Sequence, residues 1–308
     1  MAKPRELRRR IKSVESTRKI TRTMEMVSTS KLKRAQDRVV AARPYAQALT
    51  AVIADLLSPE LAQRFPLLRR PAPPALGGPT RAVVLVITSN RGLAGAFNAN
   101  LVRAAREREA ELAAAGFTVD IQAVGKKAVG YFRFVRRAVA LARTDIGDRP
   151  TAQHAEELVA PLIAEYAAGQ LASLDVVFAH FKSALSTPPE VLRALPVETT
   201  DGPTPGRHGA KGQAVAGKPK RAPAYLIRPD ADTLVGALLP LYVRNQVYRA
   251  LVETAASEHG ARRTAMKNAT DAAGDMLDLL TRSYNRARQG QITQELSEIV
   301  GGAEALKG

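Results

Sequence analysis

The sequence predicts a protein of the α/β plus long-α class. Two long terminal helices form an antiparallel two-helix coiled coil, and an open α/β domain is inserted between them. Apolar residues recur at three- and four-residue spacing over about 50 residues at the start of the chain and about 75 at its end. Between these segments, strand-like apolar runs alternate with helical segments. Periodic segments much longer than 25 residues are typical of coiled coils.

The first predicted element is an N-terminal coiled-coil helix over residues 1–57. No Gly or Pro occurs between Arg5 and Arg43, and strong helix formers dominate. The apolar pattern resumes after Pro44, so we expect this proline to bend the helix rather than end it. At 1.5 Å per residue the helix would be about 80 Å long. It carries 14 Lys and Arg residues against five acidic ones, which favours acidic partners.

Residues 58–81 are rich in proline and form a predicted stiff linker. The predicted α/β domain follows at residues 82–229. Its expected strands are 82–88, 117–124, 174–181, 191–197 and 225–228, and its expected helices are 97–115, 126–135 and 151–168. This order predicts a Rossmann-like open sheet. The basic, Gly- and Pro-rich stretch 199–223 is interpreted as an inserted mobile surface loop, either without a role or with a contact or regulatory role.

Residues 230–308 are predicted to form the C-terminal coiled-coil helix. Pro240 and three glycines are expected to bend it locally. The apolar residues predicted to share one face are Leu234, Leu238, Leu241, Tyr248 and Val252, followed by Met266, Ala269, Ala273, Met276, Leu280, Tyr284 and Ala287.

Composition excludes several classes of protein. The chain has no cysteine, which excludes disulfides, thiol catalysis and cysteine-ligated metals. No run of 18 apolar residues predicts a membrane span, and the basic N-terminus is not followed by the apolar stretch of a signal peptide. The net charge of +17 makes acidic surfaces, nucleic acid and anionic membranes the natural candidate partners.

Residue spacing predicts no catalytic, metal or cofactor site. The loop after the first strand contains Gly92 and Gly95, but it matches neither dinucleotide-binding nor P-loop spacing. Gly125, Lys126 and Lys127 follow the second strand, where a ribose-binding acid would be expected. The four histidines form no metal-ligand pattern. We therefore interpret the glycine-containing loop as a tight turn.

Several motifs are more specific than these patterns. They are residues 19–32 (KITRTMEMVSTSKL), 91–98 (RGLAGAFN), 181–185 (FKSAL), 266–271 (MKNATD) and 284–300 (YNRARQGQITQELSEIV). Together they resemble the gamma subunit of F-type ATP synthases, in the family's order and over almost the whole chain. The chain departs from the family pattern at Asn90, where an Asp is usual, at Ala94, where a Cys is frequent, and at Arg263, which replaces a common apolar residue.

The resemblance implies a non-catalytic subunit, the central-stalk rotor of the synthase. Such a rotor transmits c-ring rotation, driven by ion flow, to the catalytic beta subunits for ATP synthesis, and works in reverse during hydrolysis. The implied partners are the alpha and beta subunits of the head, the epsilon subunit and the c-ring. No cofactor, nucleic acid or small-molecule substrate is implied. The implied location is peripheral, on the cytoplasmic side of the bacterial plasma membrane.

The resemblance also implies roles for individual residues. Arg288 and Gln289 would contact beta, with Thr293 and Glu295 nearby. Met24, Val27 and Ile20 would lie in the coiled-coil seam at that level. The landmark residues of the α/β domain are Arg91, Gly92, Gly95 and Asn98.

Two other classes of function are compatible with the composition. A basic coiled coil could bind nucleic acid through phosphates, but the chain has no recognition module and its acidic residues are interspersed. A dinucleotide-dependent enzyme is disfavoured by the loop spacing.

Overall fold

A computed structural model describes residues 4–56, 64–71, 74, 77–197 and 230–305. Part of the predicted linker, the predicted loop 199–223 and the predicted strand 225–228 lie outside these residues. The chain divides into two compact units, one made of residues 1–30 and 262–308 and the other of residues 31–261. Each terminal helix therefore contributes residues to both units.

The two terminal helices are continuous over the lengths that the sequence predicts. In chain order the elements are α1 (Pro4–Leu56), β1 (Arg81–Ile87), α2 (Phe97–Ala114), β2 (Thr118–Val124), α3 (Lys126–Phe134), β3 (Val139–Arg143), α4 (Ala152–Ala167), β4 (Ser173–Ala179), β5 (Pro189–Leu195) and α5 (Ala231–Ala305). A 3-10 turn, Pro66–Leu68, precedes β1. Neither Pro44 in α1 nor Pro240 in α5 ends its helix.

The unit of residues 31–261 is built on a five-stranded sheet of order β3-β2-β1-β4-β5. Strands β1 to β4 pair in parallel, and β5 pairs antiparallel with β4. Six of the seven residues of the central strand β1 are buried, as expected of a strand covered on both faces. This topology confirms the predicted open α/β sheet.

Alternate residues of β1 face two apolar layers. Val83 and Leu85 pack in a cluster with side chains of α4 and α5, among them Leu158 and Val243. Val84 belongs to a second cluster with side chains of α2 and α3. The sheet is therefore the middle layer of three, and α5 takes the place of an ordinary covering helix on one face.

Strand β3 is not predicted by the sequence pattern. Its residues, VALAR, contain two alanines and an arginine, which have low strand propensity. Among the strands that the structure describes, β3 lies at the edge of the sheet and pairs with β2 alone. A short strand of this kind is specified by its neighbour rather than by its own residues.

In the unit of residues 1–30 and 262–308, the two helical segments run antiparallel. The hydroxyl oxygens of Thr21 and Thr270 are 2.8 Å apart. One turn earlier in α1, the guanidinium group of Arg18 lies against Gly274, which is one turn later in α5. The residue numbers in contact decrease along α1 (21, then 18) as they increase along α5 (270, then 274). The two segments therefore run in opposite directions, which confirms the predicted antiparallel pairing.

The predicted seam of this pair needs correction. Ile20 and Val27 are 57% and 51% exposed, whereas Thr21 and Ser28, each one residue later, are buried. Both hydroxyls are satisfied by carbonyls of their own helix, with Thr21 Oγ1 donating to Arg18 O at 3.1 Å and Ser28 Oγ to Met24 O at 2.7 Å. The buried positions are therefore small hydroxyl residues whose polar groups are satisfied within α1, and not their larger apolar neighbours.

The predicted apolar face of α5 is also corrected. Leu241 and Met276 are exposed, and the buried aliphatic positions before residue 250 are Val235, Leu239, Val243 and Val247. Every residue from 251 to 260 is buried. A helix that is buried all round has no single apolar face, so the three- and four-residue spacing could not predict it.

No helix among the described residues combines the length and apolarity needed to span a bilayer.

Candidate functional site

A cleft of about 570 Å³ opens at the carboxyl edge of the parallel sheet. Ligands of open α/β sheets bind at this edge, so the cleft is the natural place to look for a nucleotide site. The ends of β1, β2 and β3 form its floor, and Leu251, Thr254, Ala255 and Glu258 of α5 form one wall.

The N-terminus of α3, which borders the cleft, is closed to phosphate. Its first three amide groups donate to the loop after β1: Lys126 N to Asn90 Oδ1 at 2.9 Å, Lys127 N to Ser89 O at 3.2 Å and Ala128 N to Thr88 Oγ1 at 3.0 Å. A phosphate at a helix N-terminus needs these donors free. These three amides are therefore not available to a phosphate at this helix N-terminus.

The turn after β1 and the start of α2 are held together by hydrogen bonds and contain the landmark residues Arg91, Gly92, Gly95 and Asn98. Asn98 Oδ1 accepts from Ser89 N at 3.1 Å and from Ser89 Oγ at 3.0 Å, while Ser89 Oγ lies 2.6 Å from the carbonyl oxygen of Arg91. Gly95 has a φ of +60°, a left-handed conformation that glycine adopts without steric cost. The turn is held by its own hydrogen bonds, as expected of a structural element.

Asn90, in the loop after β1, is hydrogen-bonded to the start of α3, which follows β2, and to the loop after β3. Its Nδ2 donates to Thr144 O at 3.1 Å and to Ile146 O at 2.9 Å, and its Oδ1 accepts from the first amide of α3. An aspartate has no amide donor for the two carbonyls. The departure from the family pattern at this position therefore has a structural counterpart in this chain.

The loop after β3 contacts both terminal helices through Asp148. Lys31 Nζ of α1 lies 2.5 Å from Asp148 Oδ2, and Arg38 Nη1 donates to Asp148 O at 3.0 Å. His259 Nε2 of α5 lies 3.7 Å from Asp148 Oδ1. Burial alone would raise the pKa of Asp148, but the bond from Lys31 and the charges of His259 and Arg91 lower it below its ordinary value. Asp148 is therefore a carboxylate at neutral pH.

A second polar cluster fixes α5 to the carboxyl end of β4. Glu253 is 2% exposed; one of its carboxylate oxygens lies 2.6 Å from His180 Nδ1 and accepts from Phe181 N at 3.2 Å. The other oxygen accepts from Arg249 Nε at 2.7 Å. One turn along, Ser257 Oγ donates to Ala179 O at 3.1 Å. The end of β4 is thus bonded to two successive turns of α5.

Each histidine that the structure describes lies beside a polar group of the protein. His154 Nδ1 accepts from Thr151 N at 3.2 Å in a capping box at the start of α4, and His180 and His259 lie beside Glu253 and Asp148. His208 lies outside the described residues. Among the described residues, no group of three or more His, Asp or Glu side chains is placed to hold a metal ion.

The residues implied to contact beta lie on the last part of α5. All residues from 288 to 303, including Arg288, Gln289, Thr293 and Glu295, are exposed. Thr293 Oγ1 donates to Gln289 O at 3.0 Å, and Glu295 Oε1 accepts from Gln291 Nε2 at 2.8 Å. Met24 lies in the other half of this unit and is half-buried.

Comparison with known proteins identifies the family. A family model described as ATP synthase matches residues 3–306. The ATP synthase gamma chain of Gemmatimonas aurantiaca is 56% identical over 309 residues and covers the whole of both chains. That of Leptospira biflexa is 41% identical over 306 residues, covering 99% of this chain and all of the relative.

Solved structures share the fold at lower identity. A chain from the Euglena gracilis mitochondrial ATP synthase (OSCP/F1/c-ring, rotational state 3) superposes with a TM-score of 0.69 at 21% identity, over 98% of this chain and 94% of that one. A chain from the central stalk and c-ring of the Tetrahymena thermophila mitochondrial enzyme gives 0.54 at 22% identity, over 81% and 99%. The family match spans nearly every residue, and the bacterial relatives are far above 30% identity: this chain belongs to the ATP synthase gamma-chain family.

Proposed function

We propose that this chain is the rotating central shaft of an F-type ATP synthase. As a gamma-family protein it is the non-catalytic, central-stalk subunit of the complex, and ATP chemistry belongs to other subunits. The observation that carries the proposal is the antiparallel pairing of the terminal helices through Thr21 and Thr270, on the same chain as a sheet domain whose α3 N-terminus is closed to phosphate. An antiparallel helical pair of this kind suits the transmission of rotation.

The end of α5 has the surface of a contact site. Ile292, Leu296, Ile299 and Val300 are exposed and recur at the spacing of one helix face. Arg288 and Glu295 share that face by the same spacing. An apolar stripe with charged flanks is typical of a surface that another subunit covers. We assign Arg288, Gln289, Thr293 and Glu295 to the contact with beta.

Membership of the gamma-chain family, and the likeness to chains of solved F1, central-stalk and c-ring assemblies, support the partners proposed for the shaft. The helical pair lies within the head of alpha and beta subunits, and the α/β domain, with epsilon, contacts the c-ring. The division into helices 1–57 and 230–308, linker 58–81 and α/β domain 82–229 is part of the proposal. The subunit is peripheral to the membrane, and we place it on the cytoplasmic side of the bacterial plasma membrane.

Reconstitution tests the proposal directly. The chain is co-expressed with the alpha and beta subunits of its own enzyme, and the product is sized and assayed for ATP hydrolysis. We expect one copy of the chain in a complex with three copies each of alpha and beta, which hydrolyses ATP faster than alpha and beta alone. A chain that elutes by itself and leaves the ATPase rate unchanged would contradict the proposal.

If Arg288 and Gln289 contact beta, removal of their side chains should lower the ATPase activity of the complex. The double substitution Arg288→Ala and Gln289→Ala should lower the hydrolysis rate of the complex about fivefold, equivalent to about 1 kcal/mol for the loss of charge-assisted hydrogen bonds. The matched control is Arg103→Ala with Asn100→Ala, an exposed arginine–amide pair on α2 joined at 3.2 Å. Equal rates for both double variants would argue against the contact.

A charge at position 24 should weaken the coupling between ATP hydrolysis and proton pumping. Met24→Lys introduces a charge beside the seam residues Thr21 and Ser28, so we expect fewer protons pumped per ATP hydrolysed by the membrane-bound complex. Met26→Lys makes the same change at a position that is already exposed and should affect the ratio less. The ratio of protons pumped to ATP hydrolysed is obtained from fluorescence quenching and ATPase rates on the same vesicles. An unchanged ratio for Met24→Lys would refute the assignment of Met24 to the coiled-coil seam.

A further inference from the structure

Apolar contact holds parts of α1 and α5 on the α/β domain within the unit of residues 31–261. The cluster consists of Leu32, Ala35 and Val39 of α1, Val252 and Ala256 of α5, and Phe181 of the loop after β4. Burial of apolar surface is non-directional, so such a cluster fixes the separation of elements better than their rotation about one another. A shaft under torque also needs directional contacts between the helices and the domain.

The loop after β3 provides directional contacts at Asp148. Its carboxylate pairs with Lys31 and its carbonyl oxygen accepts from Arg38, two residues that are seven apart and therefore share one face of α1. His259 of α5 faces the other carboxylate oxygen. Hydrogen bonds weaken steeply when their angle changes, so these contacts resist rotation as well as separation.

The position of Asp148 is itself fixed by the sheet. Asn90, in the loop after β1, donates to Ile146 O and Thr144 O of the same loop as Asp148, and Gly125 N donates to Arg143 O at the end of β3. The loop that carries Asp148 is therefore bonded to the ends of two neighbouring strands. A force applied at Asp148 reaches the sheet through a short chain of hydrogen bonds.

We propose that Asp148 is a positioning residue that fixes the rotational register of α1 and α5 on the α/β domain and transmits torque between them. This inference rests on the proposed function as a rotor. Lys31 and Asp148 are each 36% exposed, and pairs of that exposure contribute little to stability. The role of Asp148 is therefore expected in the torsional stiffness of the shaft rather than in its folding.

The test measures torsional stiffness in the assembled complex. Since the chain has no cysteine, Glu107→Cys on the exposed surface of α2 gives one specific attachment point for a rotation probe. The alpha–beta head is fixed to a surface and hydrolysis is stopped with bound ADP. The angular variance of the probe then reports the stiffness between the head and the α/β domain.

Asp148→Asn should raise the angular variance about twofold, because it removes the charge from a polar link between the helices and the domain. The ATPase kcat and KM of the complex should stay within about twofold of the unsubstituted chain. Asp145→Asn is the matched control: Asp145 lies in the same loop and pairs with Arg143 of β3 at 2.7 Å. It should leave the variance unchanged.

Asp148→Glu keeps a carboxylate that can pair with Lys31 and face His259. It should lower the variance below that of Asp148→Asn, which a purely steric role of Asp148 would not produce, because Asn is the closer match in size. Equal variance for Asp148→Asn and the unsubstituted chain would overturn this inference while leaving the rotor function intact. Failure of the unsubstituted chain to assemble and rotate would overturn both.

Discussion

Gly125→Ala should destabilise the α/β domain by about 2–5 kcal/mol, the combined cost of a left-handed backbone at a non-glycine residue and an overpacked contact. Gly125 has a φ of +97°, and a Cβ placed on it would lie 2.3 Å from Thr88 O. That atom belongs to the backbone at the end of the central strand, so it cannot move aside as a side chain would. The methyl group must therefore separate β1 from the start of α3.

The matched control for this substitution is Gly130→Ala, five residues later in α3. Among the described residues, and apart from the backbone of α3 itself, no atom lies within 4 Å of the place that a methyl group at Gly130 would occupy. Its φ is that of an ordinary helical residue, so alanine there should stabilise the domain by about 0.5–1 kcal/mol. The two changes are chemically identical, and we expect them to have opposite signs.

Hydrogen–deuterium exchange over a urea titration measures both variants, following peptides from β1, β2 and α3. A global unfolding signal would be less informative because the chain contains two units. A Gly125→Ala variant with the protection of the unsubstituted chain would contradict the geometry around Thr88.

Most of the fold follows from local pattern in the sequence. The run AVVLVIT predicts the buried strand β1, and the long segments of three- and four-residue apolar spacing predict α1 and α5 to within a few residues of their ends. These elements are specified by their own residues. Strand β3 escapes prediction because its pairing with β2, rather than its composition, makes it a strand.

Burial is predicted less well where helices pack on several neighbours. The rule of one apolar face places Ile20 and Val27 in the seam, but the buried residues there are Thr21 and Ser28. Likewise, residues 251–260 include the polar residues Glu253, Ser257 and Glu258, yet all are buried. A polar residue can be buried in a core when it has hydrogen-bonding partners there. The partners of these residues are distant in sequence, so their burial could not be predicted from the local pattern.

The junction between helices and sheet could not be predicted for the same reason. Lys31 and Asp148 are 117 positions apart, and Glu253 and His180 are 73 apart. No spacing rule connects such residues. The terminal motifs that identify the family could be located in the sequence, since those depend on contiguous residues alone.

The second large effect is expected at Glu253. Glu253→Ala should destabilise the packing of α5 on the sheet by about 2–4 kcal/mol, the usual cost of leaving buried hydrogen-bonding groups unpaired. The substitution removes the acceptor from Arg249 Nε and Phe181 N together, and the neighbour of His180 Nδ1. None of these groups gains another partner from a methyl side chain. We expect exchange protection to fall first in β4 and in residues 180–186.

Two further variants separate charge from contact. Glu253→Gln retains an oxygen acceptor for Phe181 N but loses the ionic bond to Arg249, so its effect should be intermediate. Glu156→Ala breaks another Glu–Arg pair, with Arg244 at 2.8 Å, in which the Glu156 side chain is 52% exposed. Loss of that exposed pair should change stability by no more than about 0.5 kcal/mol. If Glu253→Ala cost no more than Glu156→Ala, the buried carboxylate would not be what holds α5 to the end of β4.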